Sequence, residues 1–155
     1  MITAISGIRD LHPDSMSVVR KAVTALVLHV PESSPHHTLH FGGALGVDSV
    51  ALQAAFDCHD DAPVPTLLYV FVPFTLARQP RAAREVIERC AAMVIALDLP
   101  GSASWAYLRR NDRMLAGADR LGAFTDGRLK GGTYYTMRKA HELGVPTERH
   151  LVQAR

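Results

Sequence analysis

At 155 residues the chain is long enough to bury one ordinary core without disulfides or a structural metal. Hydrophobic residues make up 48% and charged residues 21%, a globular composition that excludes a disordered tail or a fibrous repeat. The formal net charge of +2 is too mild to indicate a nucleic-acid groove, and the basic residues are spread apart from one cluster at Arg109, Arg110 and Arg113.

The two cysteines, Cys58 and Cys90, lie far apart in helix-like stretches. That fits reduced core residues in a cytosolic protein, not a disulfide scaffold or a zinc ligand set. No segment reaches the length of a membrane span, and Met1 to Ile5 leads straight into a strand with no basic segment ahead of a long apolar run. The expectation is a soluble, untargeted, cytoplasmic protein with no membrane partner.

In chain order, Ile2 to Ser6 reads as a buried strand ended by Gly7. A helix follows from about Ser15 to Val30, capped by Asp14 or Ser15, with Val19, Val23, Leu26, Val27 and Val30 at helical spacing and Pro31 as its stop. Thr38 to Phe41 is a short second strand, and after a glycine-rich turn Ser49 to Cys58 is a helix. Thr66 to Val72 is apolar throughout and so is a strand covered on both faces. Pro80 suits the first turn of a helix reaching about Ala92. Met93 to Leu97 is the fourth strand, Ser104 to Ala116 a helix, and Leu121 to Thr125 the fifth strand. Asp126 to Gly132 forms a turn before the helix Thr133 to Leu143, which Gly144 and Pro146 close. Glu148 to Val152 adds a sixth strand.

Six strands separated by five helical crossovers predict a single-domain, Rossmann-like α/β three-layer sandwich over residues 1–155, with a mostly parallel sheet. Ligands of such sheets sit outside the carboxyl ends of strands where the strand order reverses, so the turns after strands one, two and five are the places to search. The turn Gly42-Gly43-Ala44-Leu45-Gly46-Val47-Asp48 opens a helix. Its glycines permit positive φ and close backbone approach, and a helix N-terminus offers free N–H groups to a phosphate. Lys130-Gly131-Gly132-Thr133 repeats the arrangement, with Thr133 as a good N-cap whose hydroxyl can instead reach a phosphate oxygen. In Ser6-Gly7-Ile8-Arg9, the Arg9 guanidinium matches a phosphate or carboxylate bidentately. Tyr107, Arg110, Asn111 and Met114 recur at i, i+3, i+4 and i+7 and share one helix face. His36, His37 and His40 run from loop into strand without a partnering Cys or Glu, so no metal site is expected.

These separate motifs are Ser6-Gly7-x-Arg9, Gly42-Gly43-Ala44-x-Gly46-x-Asp48, Arg110-Asn111-x-x-Met114 and Gly131-Gly132-Thr133-x-x-Thr136. Together, over roughly residues 1 to 152, they resemble the SLOG superfamily of Rossmann-like nucleotide-binding proteins. That superfamily includes the DprA/Smf DNA-processing proteins and the LOG phosphoribohydrolases, which cleave the N-glycosidic bond of nucleoside monophosphates. The LOG signature pairs an M-x-x-R-K-x-x-M helix with a P-G-G-x-G-T-x-x-E turn. The resemblance matches Arg110 to the family arginine and Gly132-Thr133 to G-T, but Thr136 stands where the glutamate would be. A hydroxyl cannot stabilise the positive charge that builds on the sugar, so the resemblance transfers the nucleotide site and not the LOG activity. Asp48 or Asp126 could supply a carboxylate by another geometry.

The resulting expectation is a non-catalytic nucleotide sensor, with Ser6, Gly7, Arg9, the residues of the two glycine turns, Asp48, Arg110, Asn111 and Thr136 around a phosphate-bearing nucleotide. No other cofactor is required. The alternatives are a phosphoribohydrolase with a relocated carboxylate, and a DprA-like protein binding single-stranded DNA, which the even charge and missing extra domains disfavour. The resemblance alone implies a homodimer.

Overall fold

Six strands and five helices alternate along the computed structural model, which describes residues 1–155 apart from the Ala103 side chain. The strands are β1 (Ile2–Gly7), β2 (His37–Phe41), β3 (Thr66–Val72), β4 (Met93–Ala96), β5 (Arg120–Thr125) and β6 (Thr147–Leu151). The helices are α1 (Met16–Leu28), α2 (Val47–Cys58), α3 (Arg81–Cys90), α4 (Ala103–Leu115) and α5 (Gly131–Glu142). The sheet order is β4-β3-β2-β1-β5-β6, and every pairing is parallel, so the sheet is wholly rather than mostly parallel. The chain walks outward from β1 to β4, then returns to the other side of β1 for β5. The strand order therefore reverses between β1 and β5, which marks the crevice where such sheets hold ligands.

Strand register sorts side chains onto the two faces. Ile5, Leu39, Phe41, Leu68, Val70, Val72 and Phe124 meet Val19, Val23, Leu26 and Val27 of α1, Ala51, Leu52 and Ala55 of α2, and Ile87 and Cys90 of α3. Each such aliphatic or aromatic side chain contributes about 1.5–3 kcal/mol on full burial. The opposite face holds a smaller core of Ala4, Leu121 and Ala123 under Leu115 of α4 and Ala140 of α5. Small residues on β1 and β5 let those two helices lie close over the point of reversal. Among the described residues no helix is long and apolar enough to cross a membrane.

One boundary bears on function. The helix expected to start at Thr133 starts two residues earlier, directly after Lys130, which is extended at φ −155° and ψ 165°. Gly131 and Gly132 break helices in a helix interior, but the N–H groups of a first turn need no intrahelical acceptor, and Gly131 enters it at φ +86°. Thr133 is therefore inside the first turn, and the cap position belongs to Lys130, whose side chain makes no capping bond.

At the amino end of the sheet, His37 is fully buried, and its Nε2 lies 2.8 Å from the Thr3 hydroxyl. Arg120 Nε donates to that hydroxyl oxygen at 2.9 Å, so the Thr3 O–H is free to donate to a neutral His37. Burial, then the Arg120 charge, lower the His37 pKa to about 4. A folded pKa below the unfolded value of about 6.5 means that the unfolded chain takes up the proton first. Stability is thus full above pH 6.5 and falls as pH drops toward 4, by about 3 kcal/mol at most from this group. Denaturant midpoints across that window should fall with pH in the wild type, and His37→Gln should flatten the slope. An equal slope in both would contradict this reading.

Candidate functional site

A cleft of about 520 Å³ opens at the carboxyl ends of β1 and β5. Its walls are Ser6–Asp10 after β1, Ala44 and Asp48 at the start of α2, Ser104, Tyr107, Leu108, Arg110, Asn111 and Met114 of α4, Thr125, Asp126 and Arg128 after β5, and Lys130–Thr133 at the start of α5. This is the size of a small-ligand site, at the place where the fold favours one.

Two of the site's buried polar groups lie on α4. Arg110 and Asn111 are only 5% and 6% exposed. Arg110 Nη1 donates to the Gly42 carbonyl, and Arg110 Nε donates to Asn111 Oδ1 at 2.8 Å. Asn111 Nδ2 in turn donates to Thr136 Oγ1 at 2.9 Å and approaches the Gly132 carbonyl at 3.4 Å. The Thr136 hydroxyl donates to the same carbonyl at 2.8 Å. One chain of hydrogen bonds thus runs from the β2 turn through α4 to the first turn of α5. Met114 supplies its carbonyl to His40 Nδ1 at 3.0 Å, which pins α4 to β2.

The two glycine turns do different work. In the β2–α2 turn, Gly43 has φ +67°, and a Cβ there would meet Val70 at 2.8 Å. Gly46 has φ +76°, and a Cβ would lie 2.6 Å from the Ile8 carbonyl oxygen. The same oxygen accepts from Val47 N at 3.1 Å, so protein atoms occupy the first donor of α2. Gly42 packs under Arg110 and Asp48, whose Oδ2 would sit 2.7 Å from its Cβ. These glycines permit close packing, and of that turn only Ala44 and Asp48 reach the cleft.

The β5–α5 turn is open. A Cβ on Gly131 would meet nothing within 4 Å, and one on Gly132 only Asn111 Nδ2 at 3.6 Å. The N–H groups of Gly131, Gly132 and Thr133 have no acceptor among the described residues, and these residues, at the positive end of the α5 dipole, line the cleft.

Asp48 lies in the first turn of α2, where its Oδ2 accepts from Ala44 N at 3.1 Å and closes the turn. Burial pushes its carboxyl above the ordinary carboxylate range, and Arg110, the Ala44 N–H and Arg9 pull against that shift. Burial likewise lowers Arg110, with Asp48 opposing. Asp126 is held low by the Arg128 guanidinium, which it binds.

Of the residues singled out from the sequence, the cleft gathers Ser6, Gly7, Arg9, Ala44, Asp48, Arg110, Asn111, Gly131, Gly132 and Thr133. Gly42, Gly43 and Gly46 support it from behind, and Thr136, fully buried, bonds to Asn111 instead of lining the wall. Asp10, Ser104, Thr125 and Arg128 line the cleft without a motif in the sequence that marks them, and Lys130 lines it as the first residue of the second glycine turn. Asp126 is marked by its place at the turn, and Tyr107 by the helical spacing it shares with Arg110 and Asn111.

No family model matches the chain, and no curated protein matches it. Among solved structures, the chain is similar to the Moco carrier protein of Chlamydomonas rheinhardtii, with a TM-score of 0.58 and 17% identity. The match covers 96% of this chain and 74% of that one. The likeness establishes the fold.

Proposed function

We propose that the cleft binds a phosphate-bearing nucleotide, with the phosphate on the first turn of α5, and that the protein serves as a binding module. The observation that carries this reading is the trio of unpartnered N–H groups at Gly131, Gly132 and Thr133, residues that line a cleft at the strand-order reversal. Lys130 adds a positive charge to the cleft lining, whereas the charge of Arg128 is offset by Asp126. The motif resemblance to the SLOG superfamily points the same way. The similar structure, of a protein named as a Moco carrier, supports a ligand-binding role in general and does not bear on nucleotides in particular.

A second reading, hydrolysis of the N-glycosidic bond, draws on Asp48 and Asp126, because both carboxylates line the same cleft. Neither fits the role well. Asp126 is engaged with Arg128, and Asp48 closes its own turn and is biased by burial toward its neutral form, which stabilises a sugar cation poorly.

Thermal unfolding with adenosine monophosphate tests both readings in one sample. At a concentration of about 100 times Kd the ligand adds about 2.7 kcal/mol, or a rise of about 5 to 10 °C in Tm for a chain of this size. The nucleotide should be recovered intact. No shift with any nucleoside monophosphate at millimolar concentration would end the binding reading. Released adenine, lost in Asp48→Asn, would replace it with the hydrolytic one.

A further inference from the structure

Tyr107 lines the cleft near two guanidinium groups, with Arg9 Cζ 4.1 Å and Arg110 Cζ 5.7 Å from its ring centroid. Their roles differ. Arg110 is buried and fixed by hydrogen bonds, whereas Arg9 is exposed and its guanidinium makes no hydrogen bond or ion pair with a described residue. Only the ring holds Arg9, and a cation–π contact at an exposed site is weak enough for a ligand to displace or join. Tyr107 also shares the cleft with Gly131, Gly132 and Thr133 of α5. It lies four residues before Asn111, about 6 Å along the α4 axis, and Asn111 approaches the Gly132 carbonyl at 3.4 Å.

We propose that the Tyr107 ring is the platform on which the ligand's flat heteroaromatic group stacks, with the Arg9 guanidinium closing over that group's other face. The site then selects a base–ribose–phosphate over a sugar phosphate that lacks the base. Arginine planes and aromatic rings both stack on bases without demanding a particular hydrogen-bond pattern, so the platform reads flatness and reach. This inference rests on the phosphate site proposed above, and its test separates the two.

Titration calorimetry with adenosine monophosphate and with ribose 5-phosphate measures the contribution of the base. Proton NMR of the adenine reports ring contact. The nucleotide should bind about 5- to 150-fold more tightly than the sugar phosphate. Tyr107→Leu should remove that difference together with the upfield shift of the adenine protons, and Tyr107→Phe should keep both. If Tyr107→Leu fails to fold, Arg9→Ala decides, because it should weaken the nucleotide more than it weakens ribose 5-phosphate, and an equal loss for both ligands overturns the platform. Equal affinity for the two ligands in the wild type, or a Tyr107→Leu protein that still discriminates and still shifts the adenine protons, overturns the stacking platform and leaves the phosphate site standing. Binding of neither ligand overturns the phosphate site and the platform with it.

Discussion

Replacing Gly132 by aspartate should abolish mononucleotide binding while the protein keeps its fold and melting temperature. The structure makes the substitution tolerable, because a Cβ at Gly132 meets only Asn111 Nδ2, at 3.6 Å, and the residue does not have the positive φ of Gly131. An acidic side chain in the first turn of a helix is also favourable to the helix itself, since it faces the positive end of the dipole. The same carboxylate would stand where the phosphate is to sit. Losing one charge-assisted hydrogen bond costs about 1.5–3 kcal/mol, roughly 10- to 150-fold in affinity, and like-charge repulsion adds to it. Calorimetry should detect no binding at concentrations that saturate the wild type. A folded Gly132→Asp protein with wild-type affinity would move the phosphate away from α5.

Arg110→Ala should act on stability as much as on binding. Its guanidinium is 5% exposed, satisfies the Gly42 carbonyl and Asn111, and faces the buried Asp48 carboxyl. Without it, Asp48 must carry an unpaired buried charge or take up a proton, and the Gly42 carbonyl loses its donor. Leaving a buried acceptor unpaired costs about 1–3 kcal/mol, so the two acceptors that lose Arg110 cost about 2–6 kcal/mol together, a fall of about 4 to 24 °C in Tm for a chain of this size. Adding Asp48→Asn should recover part of the loss, because the double variant no longer strands a charge. A Tm within about 2 °C of wild type for Arg110→Ala would mean that Arg110 is no structural keystone and is free to act on ligand alone.

The parts of this molecule that are legible in the sequence are those whose pattern has one physical cause. Thr66–Val72 folds as β3 with the bounds its apolar run implies, but the expected cover on both faces is incomplete, since Leu67 is 41% exposed and Tyr69 only half-buried on one of them. The valines and Leu26 of α1 recur at helical spacing because one face packs on the sheet. Glycine is harder to interpret, because the same residue serves close packing and ligand approach. The glycines of the β2–α2 turn make room for Val70 and the Ile8 carbonyl, while those of the β5–α5 turn leave donors open. Only knowledge of which atoms cross each turn separates the two cases. Thr136 shows the same ambiguity. Aligned by motif it stands at a catalytic position, but it faces between α4 and α5 and orients Asn111. The cleft residues with no signal, such as Asp10 and Ser104, are ordinary polar residues that are brought to the site only by the strand order.

The most direct measurement is an amide-resolved NMR titration of isotope-labelled protein with adenosine monophosphate. Three backbone N–H groups without acceptors are claimed to receive the phosphate, and an amide that gains a charged acceptor moves downfield more than one that feels only a distant change. The account predicts that Gly131, Gly132 and Thr133 show the largest downfield shifts in the protein, saturating together with the calorimetric affinity, while the first-turn amides of α2 move little. Saturable shifts centred on Gly42–Asp48, or a spectrum unchanged at millimolar nucleotide, would contradict it.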